Sequence, residues 1–392
     1  MPLANDFRPS SDHEPLERHP LHAWICKTCM LVQIWPIVPP ERMFTAYTYL
    51  SSTSSTWLEH AREFALDAIR RLKLNSQSRV VEIASNDGYL LRYFVEAGIP
   101  SLGIEPAENI AEIARRGGVD TRCDFFGAAL AAELVDQGSP ADLIVANNVL
   151  AHVPDLADFV TGLSTLVAVG GLVSIEFPGI STLLSGSQFD TIYHEHCSYL
   201  SLTSCQSVLA RGGLRVVDVE SLPTHGGSLR VWAARRDSSH VASKSVDQAL
   251  QREADAGLDR MATYHEAASR MRARANEIEA FVRRHADAGA MVAGYGAAAK
   301  TTVVANVCNL SATDIRYVVD RNPLKQGSRI PGTSIPVLGV EHLRDEPPDV
   351  LVIFPWNLAR EIINEVAADL PTTCRIVSTM PAVADLAQGT RS

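Results

Sequence analysis

The chain has 392 residues, a length typical of two or three domains with sizeable cores. It carries 35 Lys and Arg residues against 45 Asp and Glu residues, a net charge of −10, and has no basic block, so nucleic-acid binding is not expected. No apolar run reaches the ~18 residues of a membrane span, and the N-terminus lacks the apolar core of a signal peptide. We therefore expect a cytoplasmic globular protein without membrane contact.

Residues 1–57 are rich in Pro, Ser and His and predict a small, loop-rich module. This module contains Cys26 and Cys29, whereas the other five of the seven cysteines are scattered singly, so the pattern is not a disulfide framework. A structural zinc ion needs four ligands, and the sequence offers no second cysteine pair nearby. A redox role would need a preceding βαβ pattern, which is missing. The residues alone leave the role of this pair open.

Residues 58–236 have the pattern of a larger α/β domain. An amphipathic helix is predicted over residues 57–72, and short apolar runs follow, several of them separated by helical patterns. Continuous apolar runs are typical of strands that are buried on both faces of a parallel sheet. The pattern predicts a doubly wound sheet with a closing antiparallel strand. The predicted strands are 79–84, 101–106, 142–148, 172–177, 214–220 and 228–236.

The composition changes after this domain. Residues 237–286 contain no proline and are dense in Ala, Arg and Glu, which predicts one or two long connecting helices. A second α/β pattern occupies residues 287–392 and predicts a Rossmann-like domain. Its strand-like runs lie within 290–300, 315–320, 349–354 and 375–379.

The first glycine turn follows the strand 79–84, where Ser85, Asn86, Asp87 and Gly88 precede a helix. Such a turn lets a ligand approach the backbone N–H groups at the start of a helix. The next strand ends at Glu105, where a carboxylate can accept hydrogen bonds from both hydroxyls of a ribose. Together with segments 123–126 and 146–148, this pattern indicates nucleoside binding; a plain strand–turn–helix with a solvated acid is the alternative.

The second glycine turn spans residues 294–300 and carries Gly294, Gly296 and Lys300. Asp320 ends the following strand, so the pattern fits a dinucleotide site. A Rossmann-like fold that uses the glycines for close packing, without any dinucleotide, is the alternative.

Four polar residues, Tyr193, His194, Glu195 and His196, follow one another after a predicted strand. Histidine is the natural proton acceptor near neutral pH, and the neighbouring Tyr and Glu can orient it or bind a substrate. The spacing is too compact for the two histidines of a helical zinc site. The segment therefore predicts acid–base chemistry, with a solvated loop as the alternative.

His225 is followed by Gly226 and Gly227 at the start of a predicted strand. The two glycines allow either a close approach of the backbone to a ligand or a tight bulge. The motif alone favours the bulge.

Taken together, these segments resemble the SAM-dependent sugar C-methyltransferases of deoxysugar biosynthesis, and the resemblance runs over nearly the whole chain. It implies a zinc-binding N-terminal module, a class I SAM methyltransferase domain and a C-terminal Rossmann-like domain that helps to hold a nucleotide sugar. The segments that carry the resemblance are PLAN (2–5), CKTCMLVQ (26–33), YTYLSS (47–52), VVEIASNDGYLL (80–91), GIEPAEN (103–109), ANNVLAHVPDL (146–156), EFP (176–178), QFDTIYHEHCSYLSL (188–202), LPTHGGSLRV (222–231), GYGAAAK (294–300) and DRNPLKQG (320–327).

The resemblance implies roles for individual residues. His196 is the catalytic base, with Tyr193, Glu195 and Tyr49 beside it. Cys26 and Cys29 are one of two zinc-ligand pairs, and the second pair is missing from this sequence. The implied SAM-binding residues are Glu82, Ala84, Asn86, Gly88, Glu105, Phe125, Phe126 and Asn147. The implied substrate-binding residues are Tyr47, His152, His194, His225, Gly226, Tyr295, Lys300 and Lys325.

The implied reaction is C-methylation of a nucleotide-linked, dTDP-type 4-keto-6-deoxyhexose, at C3 with C5 as the alternative. His196 would remove a proton next to the ketone, and the resulting enolate would accept the methyl group. The alternatives are an O- or N-methyltransferase, an NAD-dependent sugar oxidoreductase that uses the second glycine turn, and a non-catalytic nucleotide-sugar binding module. The sequence does not define an oligomeric state.

Overall fold

The computed structural model describes residues 1–12, 14–44, 50–138 and 140–386. The strands in chain order are β1 (His22–Ile25), β2 (Val32–Trp35), β3 (Val80–Ile83), β4 (Ser101–Ile104), β5 (Thr121–Arg122), β6 (Ala141–Asn147), β7 (Val167–Pro178), β8 (Ser198–Tyr199), β9 (Leu214–Leu222), β10 (Ser228–Arg235), β11 (Val292–Tyr295), β12 (Val318–Val319), β13 (Val337–Leu338), β14 (Val350–Ile353), β15 (Arg375–Ser378) and β16 (Ala384–Asp385).

Helices connect most of these strands. In chain order they are α1 (Glu41–Phe44), α2 (Ser55–Leu72), α3 (Leu91–Glu96), α4 (Glu108–Arg116), α5 (Ala128–Asp136), α6 (Leu156–Leu166), α7 (Ile180–Ser185), α8 (Leu202–Arg211), α9 (Lys244–Asp255), α10 (Met261–Asp287), α11 (Ala299–Val307), α12 (His342–Asp345) and α13 (Ala359–Val366). Within the described ranges, no helix combines the length and the apolar character needed to cross a membrane.

The central sheet has seven strands in the order β5-β4-β3-β6-β7-β10-β9. Strand β10 runs antiparallel to both of its neighbours, and the other strands are parallel to one another. All four residues of β3 and six of the seven residues of β6 are buried, because helices cover both faces of the sheet. The structure therefore confirms the predicted class I methyltransferase sheet.

The strand order reverses between β3 and β6, because β3 continues to β4 on one side while β6 continues to β7 on the other. The loops at the carboxyl ends of β3 and β6 diverge at this point and leave a crevice, which is where open α/β sheets bind their ligands. The first glycine turn follows β3 at this edge. The fold thus places the first glycine turn in this crevice.

The N-terminal module is attached to both larger domains. Strand β2 pairs with β8 in the register Val32↔Tyr199, so one sheet joins the module to the segment directly after His196. The first residues of the chain contact the C-terminal domain, because the Thr302 hydroxyl donates to the Ala4 carbonyl at 2.9 Å. The N-terminal module therefore lies against the segments on which the predicted chemistry depends.

The C-terminal domain has a six-stranded sheet in the order β13-β12-β11-β14-β15-β16, parallel except for β16. Gly294 lies on β11, where an added Cβ would meet the Phe354 ring at 2.7 Å. The first glycine of the second turn therefore permits close packing inside this sheet.

Residues 237–286 contain α9 and nearly all of α10. Glu253 on α9 anchors this segment to the methyltransferase domain, because its carboxylate accepts hydrogen bonds from the backbone N–H groups of Leu202 and Thr203 and from the Thr203 hydroxyl. These N–H groups lie in the first turn of α8 and have no partner within the helix. The buried carboxylate thus caps α8 from a different helix.

We predict that Glu253→Ala destabilises the protein by about 2 kcal/mol or more, because it leaves buried donors unsatisfied. The expected fall in Tm is about 4–8 °C, measured by differential scanning fluorimetry. Glu266→Ala on the exposed face of α10 is the matched control and should leave Tm unchanged. Equal Tm values for the two variants would contradict an anchoring role.

Candidate functional site

The first glycine turn adopts the backbone conformation that its sequence predicts. Ala84, Asn86 and Gly88 have positive φ angles of 56°, 49° and 76°, so the chain turns sharply after β3. Glu105 lies next to this turn and is buried. Its carboxylate accepts hydrogen bonds from the backbone N–H groups of Asn86 and Ala107, both at 3.0 Å. The turn and the acid that were predicted to bind a nucleoside are therefore in direct contact.

Three buried carboxylates crowd the crevice. Glu82, Asp87 and Glu105 are 1%, 3% and 5% exposed. Burial raises the pKa of Glu105 and holds the pKa of Glu82 well above its ordinary value, even though the Tyr89 hydroxyl stabilises the ionised form of Glu82. Such a cluster favours a ligand that brings positive charge.

Several acceptor atoms in the crevice are unpaired. Among the described residues, Glu82 Oε2, Asp87 Oδ1 and Asn147 Oδ1 have no hydrogen-bond partner, although each is buried. Unpaired buried acceptors are costly unless a ligand supplies donors. SAM carries cationic groups together with N–H and O–H groups that supply such donors. These residues therefore fit SAM.

Phe125 and Phe126 lie in the loop between β5 and α5. Phe125 is 39% exposed, whereas Phe126 packs edge-to-face on Phe159 with the ring centroids 5.5 Å apart. Both rings line an open cavity of about 370 Å³, which also includes Asp124 and Asp158. The exposed ring provides an apolar surface on which a planar base can stack.

The segment that leads into α2 lies on the glycine turn. The backbone N–H of Ser51 donates to Asn86 Oδ1 at 2.9 Å, and that of Ser52 donates to Asp87 Oδ2 at 3.2 Å. The N-terminal part of the chain therefore contributes to the wall of the crevice. Tyr47, which was predicted to contact substrate, and Tyr49, which was predicted to lie beside the catalytic base, lie outside the described residues.

His196 has a defined hydrogen-bonding arrangement. Its Nδ1 lies 2.7 Å from the Thr191 carbonyl oxygen, which only accepts, so Nδ1 carries the proton of the neutral ring. Nε2 is then an acceptor, and it lies 3.0 Å from the Tyr193 hydroxyl. The two rings are tilted against each other, with centroids 4.2 Å apart. The lone pair of Nε2 is therefore the basic site of this cluster.

His152 lies against His196, with the ring centroids 4.9 Å apart. Its Nδ1 donates to the Glu195 carbonyl oxygen at 2.7 Å, and burial lowers its pKa, which favours the neutral ring. The two imidazoles thus lie side by side, one from the loop after β6 and the other from the predicted catalytic segment.

Glu195 is buried between three parts of the chain. Its Oε1 accepts a hydrogen bond from the Asn5 side chain at 2.6 Å, and the positive charge of Lys325 lies nearby. Burial raises the pKa of Glu195 to about 7, although Asn5 and Lys325 both favour the ionised form. Lys325 in turn donates to the Ala297 carbonyl at 2.7 Å, and burial lowers its pKa. The predicted catalytic segment is therefore fixed to the N-terminal and C-terminal parts of the protein.

His194 turns away from His196. It is fully buried, and its Nε2 donates to the Pro20 carbonyl at 3.0 Å. The structure therefore places this predicted substrate residue against the N-terminal module.

A second cluster lies where the methyltransferase domain meets the C-terminal domain. Lys300 Nζ is 3.5 Å from the buried Asp190 carboxylate and 4.9 Å from the centre of the Trp356 ring. Trp356 Nε1 donates to Asp190 at 2.8 Å. Gly226 packs against the Trp356 ring and leaves no room for a Cβ. The structure brings Lys300 and Gly226 together; the side chain of His225 lies outside the described part.

The second glycine turn is filled by protein. An added Cβ on Gly296 would collide with Pro355, and Asp320 accepts from the Ala297 N–H at 2.6 Å. Tyr295, which was predicted to contact substrate, is buried in the core, and its hydroxyl donates to Glu365 at 3.4 Å. The geometry favours the interpretation that these glycines serve close packing.

Four residues near the site were not predicted as site residues from the sequence, namely Asn5, Asp190, Trp356 and Glu176. Signals were present for three of them, since Asn5, Asp190 and Glu176 lie in segments that carry the resemblance. Trp356 comes soon after a predicted buried strand, at the sheet edge where ligands bind. Its role depends on a contact with a residue 166 positions away, which no local pattern encodes.

The pair Cys26 and Cys29 forms the tip of the N-terminal hairpin. The Cys26 N–H donates to the Leu31 carbonyl, the Met30 N–H donates back to Cys26, and Met30 has a positive φ of 56°. In the part of the chain that the structure describes, no three His, Cys, Asp or Glu side chains converge on a metal position. These donors do not fit a complete zinc site.

Comparison with known proteins matches three family models to this chain. Residues 1–44 match a zinc-binding domain, residues 57–219 a methyltransferase domain, and residues 223–381 the C-terminal domain of C-methyltransferases. The chain is 34% identical to the C-methyltransferase NovU of Streptomyces niveus over 384 residues, which cover 97% of this chain and 91% of NovU.

Other matches are limited to part of the chain. A ubiquinone biosynthesis O-methyltransferase of Xylella fastidiosa is 26% identical over 133 residues, which cover 31% of this chain and 54% of that protein. The SAH-bound structure of magnesium protoporphyrin IX methyltransferase from Synechocystis is 14% identical, with a TM-score of 0.36, and covers 45% of this chain and 83% of that chain.

The pKa of Glu195 predicts a pH-dependent stability difference for Glu195→Gln. The folded protein keeps the Glu195 proton up to about pH 7, whereas the unfolded chain releases it near pH 4.5. Wild-type stability therefore falls as the pH rises from 4.5 to 7, and the variant lacks this loss. We expect the free energy of unfolding of the variant, relative to wild type, to rise by up to about 3 kcal/mol across this window.

Urea denaturation at several pH values measures this difference. Glu63→Gln, on an exposed position of α2, is the control and should follow wild type at every pH. A difference between Glu195→Gln and wild type that stays constant with pH would contradict the prediction.

Proposed function

Because the chain belongs to the family of SAM-dependent C-methyltransferases, we propose that its substrate is a nucleotide-linked 4-keto-6-deoxyhexose and that it methylates the carbon at C3. The observation that carries this proposal is the position of His196, whose Nδ1 lies 2.7 Å from the Thr191 carbonyl oxygen and whose Nε2 lies 3.0 Å from the Tyr193 hydroxyl. C-methylation needs a base that makes a carbon nucleophilic, and a neutral imidazole provides that base near neutral pH.

The crevice residues are proposed to hold SAM. Glu105 would accept hydrogen bonds from the ribose hydroxyls, and Phe125 would stack on the adenine. The unpaired oxygens of Glu82, Asp87 and Asn147 would accept donors from the rest of the molecule. When bound, SAM supplies an electrophilic methyl group.

The proposed mechanism begins with proton removal. His196 Nε2 takes the proton from the sugar carbon next to the C4 ketone, while Nδ1 stays hydrogen-bonded to Thr191. The Tyr193 hydroxyl, which lies 3.0 Å from Nε2, then donates to the enolate oxygen and stabilises its charge. The imidazolium formed on His196 lies beside neutral His152, which adds no repulsion. The enolate carbon would form the new bond to the methyl carbon as the bond between that methyl group and the SAM sulfur breaks, with SAH as the leaving group.

The sugar is proposed to lie between the methyltransferase domain (58–236) and the C-terminal domain (287–392). Lys300 and Lys325 both lie at this boundary, and their positive charges suit the diphosphate of a dTDP-type sugar. Gly226, which lets the 224–227 turn pack closely on Trp356, lies at the same boundary. This placement brings the nucleotide to the C-terminal domain and the ketone to His196.

We predict that His196→Asn lowers turnover by about 100- to 10,000-fold, because Asn keeps a donor near Thr191 but lacks the basic nitrogen. The Kd for SAH, measured by isothermal titration, should stay within about twofold of wild type. His265→Ala, on the exposed surface of α10, is the control and should retain full activity.

Solvent deuterium distinguishes C-methylation from the alternatives. Wild type should exchange the sugar proton next to the ketone and His196→Asn should not, as followed by NMR with SAH present. Methylation without exchange would indicate an O- or N-methyltransferase. Titration with NAD tests the oxidoreductase interpretation; binding of NAD without SAH would overturn the proposed function.

A further inference from the structure

Glu176 lies at the carboxyl end of β7, between the SAM crevice and the turn that carries His225. It is fully buried and stands beside Asn147 in the β6–β7 register. Its Oε2 lies 2.9 Å from both His60 Nε2 and Arg230 Nη2. Its Oε1 accepts a hydrogen bond from the Thr224 hydroxyl at 2.9 Å. One carboxylate thus joins α2, β10 and the turn at 224–227.

Two successive glycines follow Thr224 in this turn. Gly226 and Gly227 have φ angles of 87° and 121°, which only glycine adopts readily. Within the turn, the Gly227 N–H donates to the Thr224 carbonyl at 2.9 Å. Gly226 packs against Trp356 of the C-terminal domain. Thr224 therefore connects a glycine-containing turn to a buried charge.

The partners of Glu176 make the anchor strong. Burial by itself would raise its pKa, but the hydrogen bond and charge of His60, together with the charge of Arg230, hold the pKa below its ordinary value. The carboxylate is therefore ionised at neutral pH, and a hydrogen bond to an ionised acceptor is about twice as strong as one between neutral groups. His60 itself stacks on Trp57, with centroids 4.9 Å apart, near the segment that lies on the SAM turn.

We propose that Glu176 is a positioning residue that fixes the Thr224–Gly227 turn through the Thr224 hydroxyl, and thereby sets the affinity for the sugar substrate. The role in sugar binding rests on the proposed function, whereas the anchoring of the turn does not. Loss of the anchor should weaken sugar binding and leave SAM binding unchanged, because the SAM residues keep their own contacts.

Thr224→Val tests this role, since valine has nearly the same shape and lacks the hydroxyl. We expect the KM for the nucleotide-linked keto sugar to rise about 10-fold or more, which corresponds to the loss of a hydrogen bond to a charged group. The Kd for SAH and the kcat should stay within about threefold. Thr224→Ser keeps the donor and should restore wild-type KM, whereas Thr161→Val, on an exposed part of α6, is a control for the loss of a threonine hydroxyl.

Hydrogen–deuterium exchange measured by mass spectrometry gives a readout that does not depend on activity. Thr224→Val should increase exchange in the peptide that contains residues 224–228 and leave the peptide around Asn86 and Gly88 unchanged. Thr224→Ser should match wild type in both. Unchanged exchange in Thr224→Val, or increased exchange with an unchanged sugar KM, would overturn the proposal. A wild-type enzyme that methylates no keto sugar would refute the proposed function, while the exchange data would still decide whether Thr224 anchors the turn.

Discussion

Buried carboxylates determine how the parts of this protein fit together. A carboxylate that loses its water must accept hydrogen bonds from the protein, and donors from distant segments meet this need. Glu195 binds Asn5 from the N-terminus, Asp190 binds Trp356 from the C-terminal domain, and Glu253 binds the first turn of α8. In each case the donor lies at least 50 positions away in the chain. The relative positions of the domains around His196 therefore follow largely from the requirement to satisfy these charges.

The acids of the crevice after β3 differ from Glu195 and Glu253 in how completely their oxygens are satisfied, whereas buried Asp190 also keeps one oxygen, Oδ1, without a partner among the described residues. Glu82 and Asp87 are as deeply buried, yet each keeps an oxygen without a partner among the described residues. An unsatisfied buried acceptor lowers stability, and a ligand that donates to it recovers that free energy as binding energy. A buried carboxylate thus stabilises the fold where protein groups donate hydrogen bonds to it. It is suited to bind a ligand where the protein leaves one of its oxygens without a donor.

The sequence was informative where the physics is local. Continuous apolar runs predicted the parallel strands, and the glycine turn predicted the crevice after β3. Glu105 was predicted from its position at the end of the next strand. These features could be predicted because strand ends and glycine turns are encoded by neighbouring residues. Side-chain direction was harder to predict. Tyr295 and His194 lie in segments that carry the family resemblance and were predicted to bind substrate. Their side chains form hydrogen bonds with Glu365 and with the Pro20 carbonyl, respectively. The contact between Asp190 and Trp356 depends on how two domains pack, and no periodicity along one segment contains that information.

The two glycine turns show why a motif alone does not identify a ligand. Both follow a buried parallel strand, and both are paired with an acid, Glu105 or Asp320, that accepts backbone N–H groups of its own turn. The acid therefore does not distinguish them. The unpaired oxygens do. An added Cβ would meet Val119 at 2.8 Å on Gly88 and Pro355 at 2.4 Å on Gly296, so both glycines are closely packed by protein. The crevice of the first turn nevertheless retains buried oxygens of Glu82 and Asp87 that have no partner among the described residues. A glycine turn is suited to bind a ligand where hydrogen-bonding groups beside it are left unsatisfied, and the first turn meets this condition.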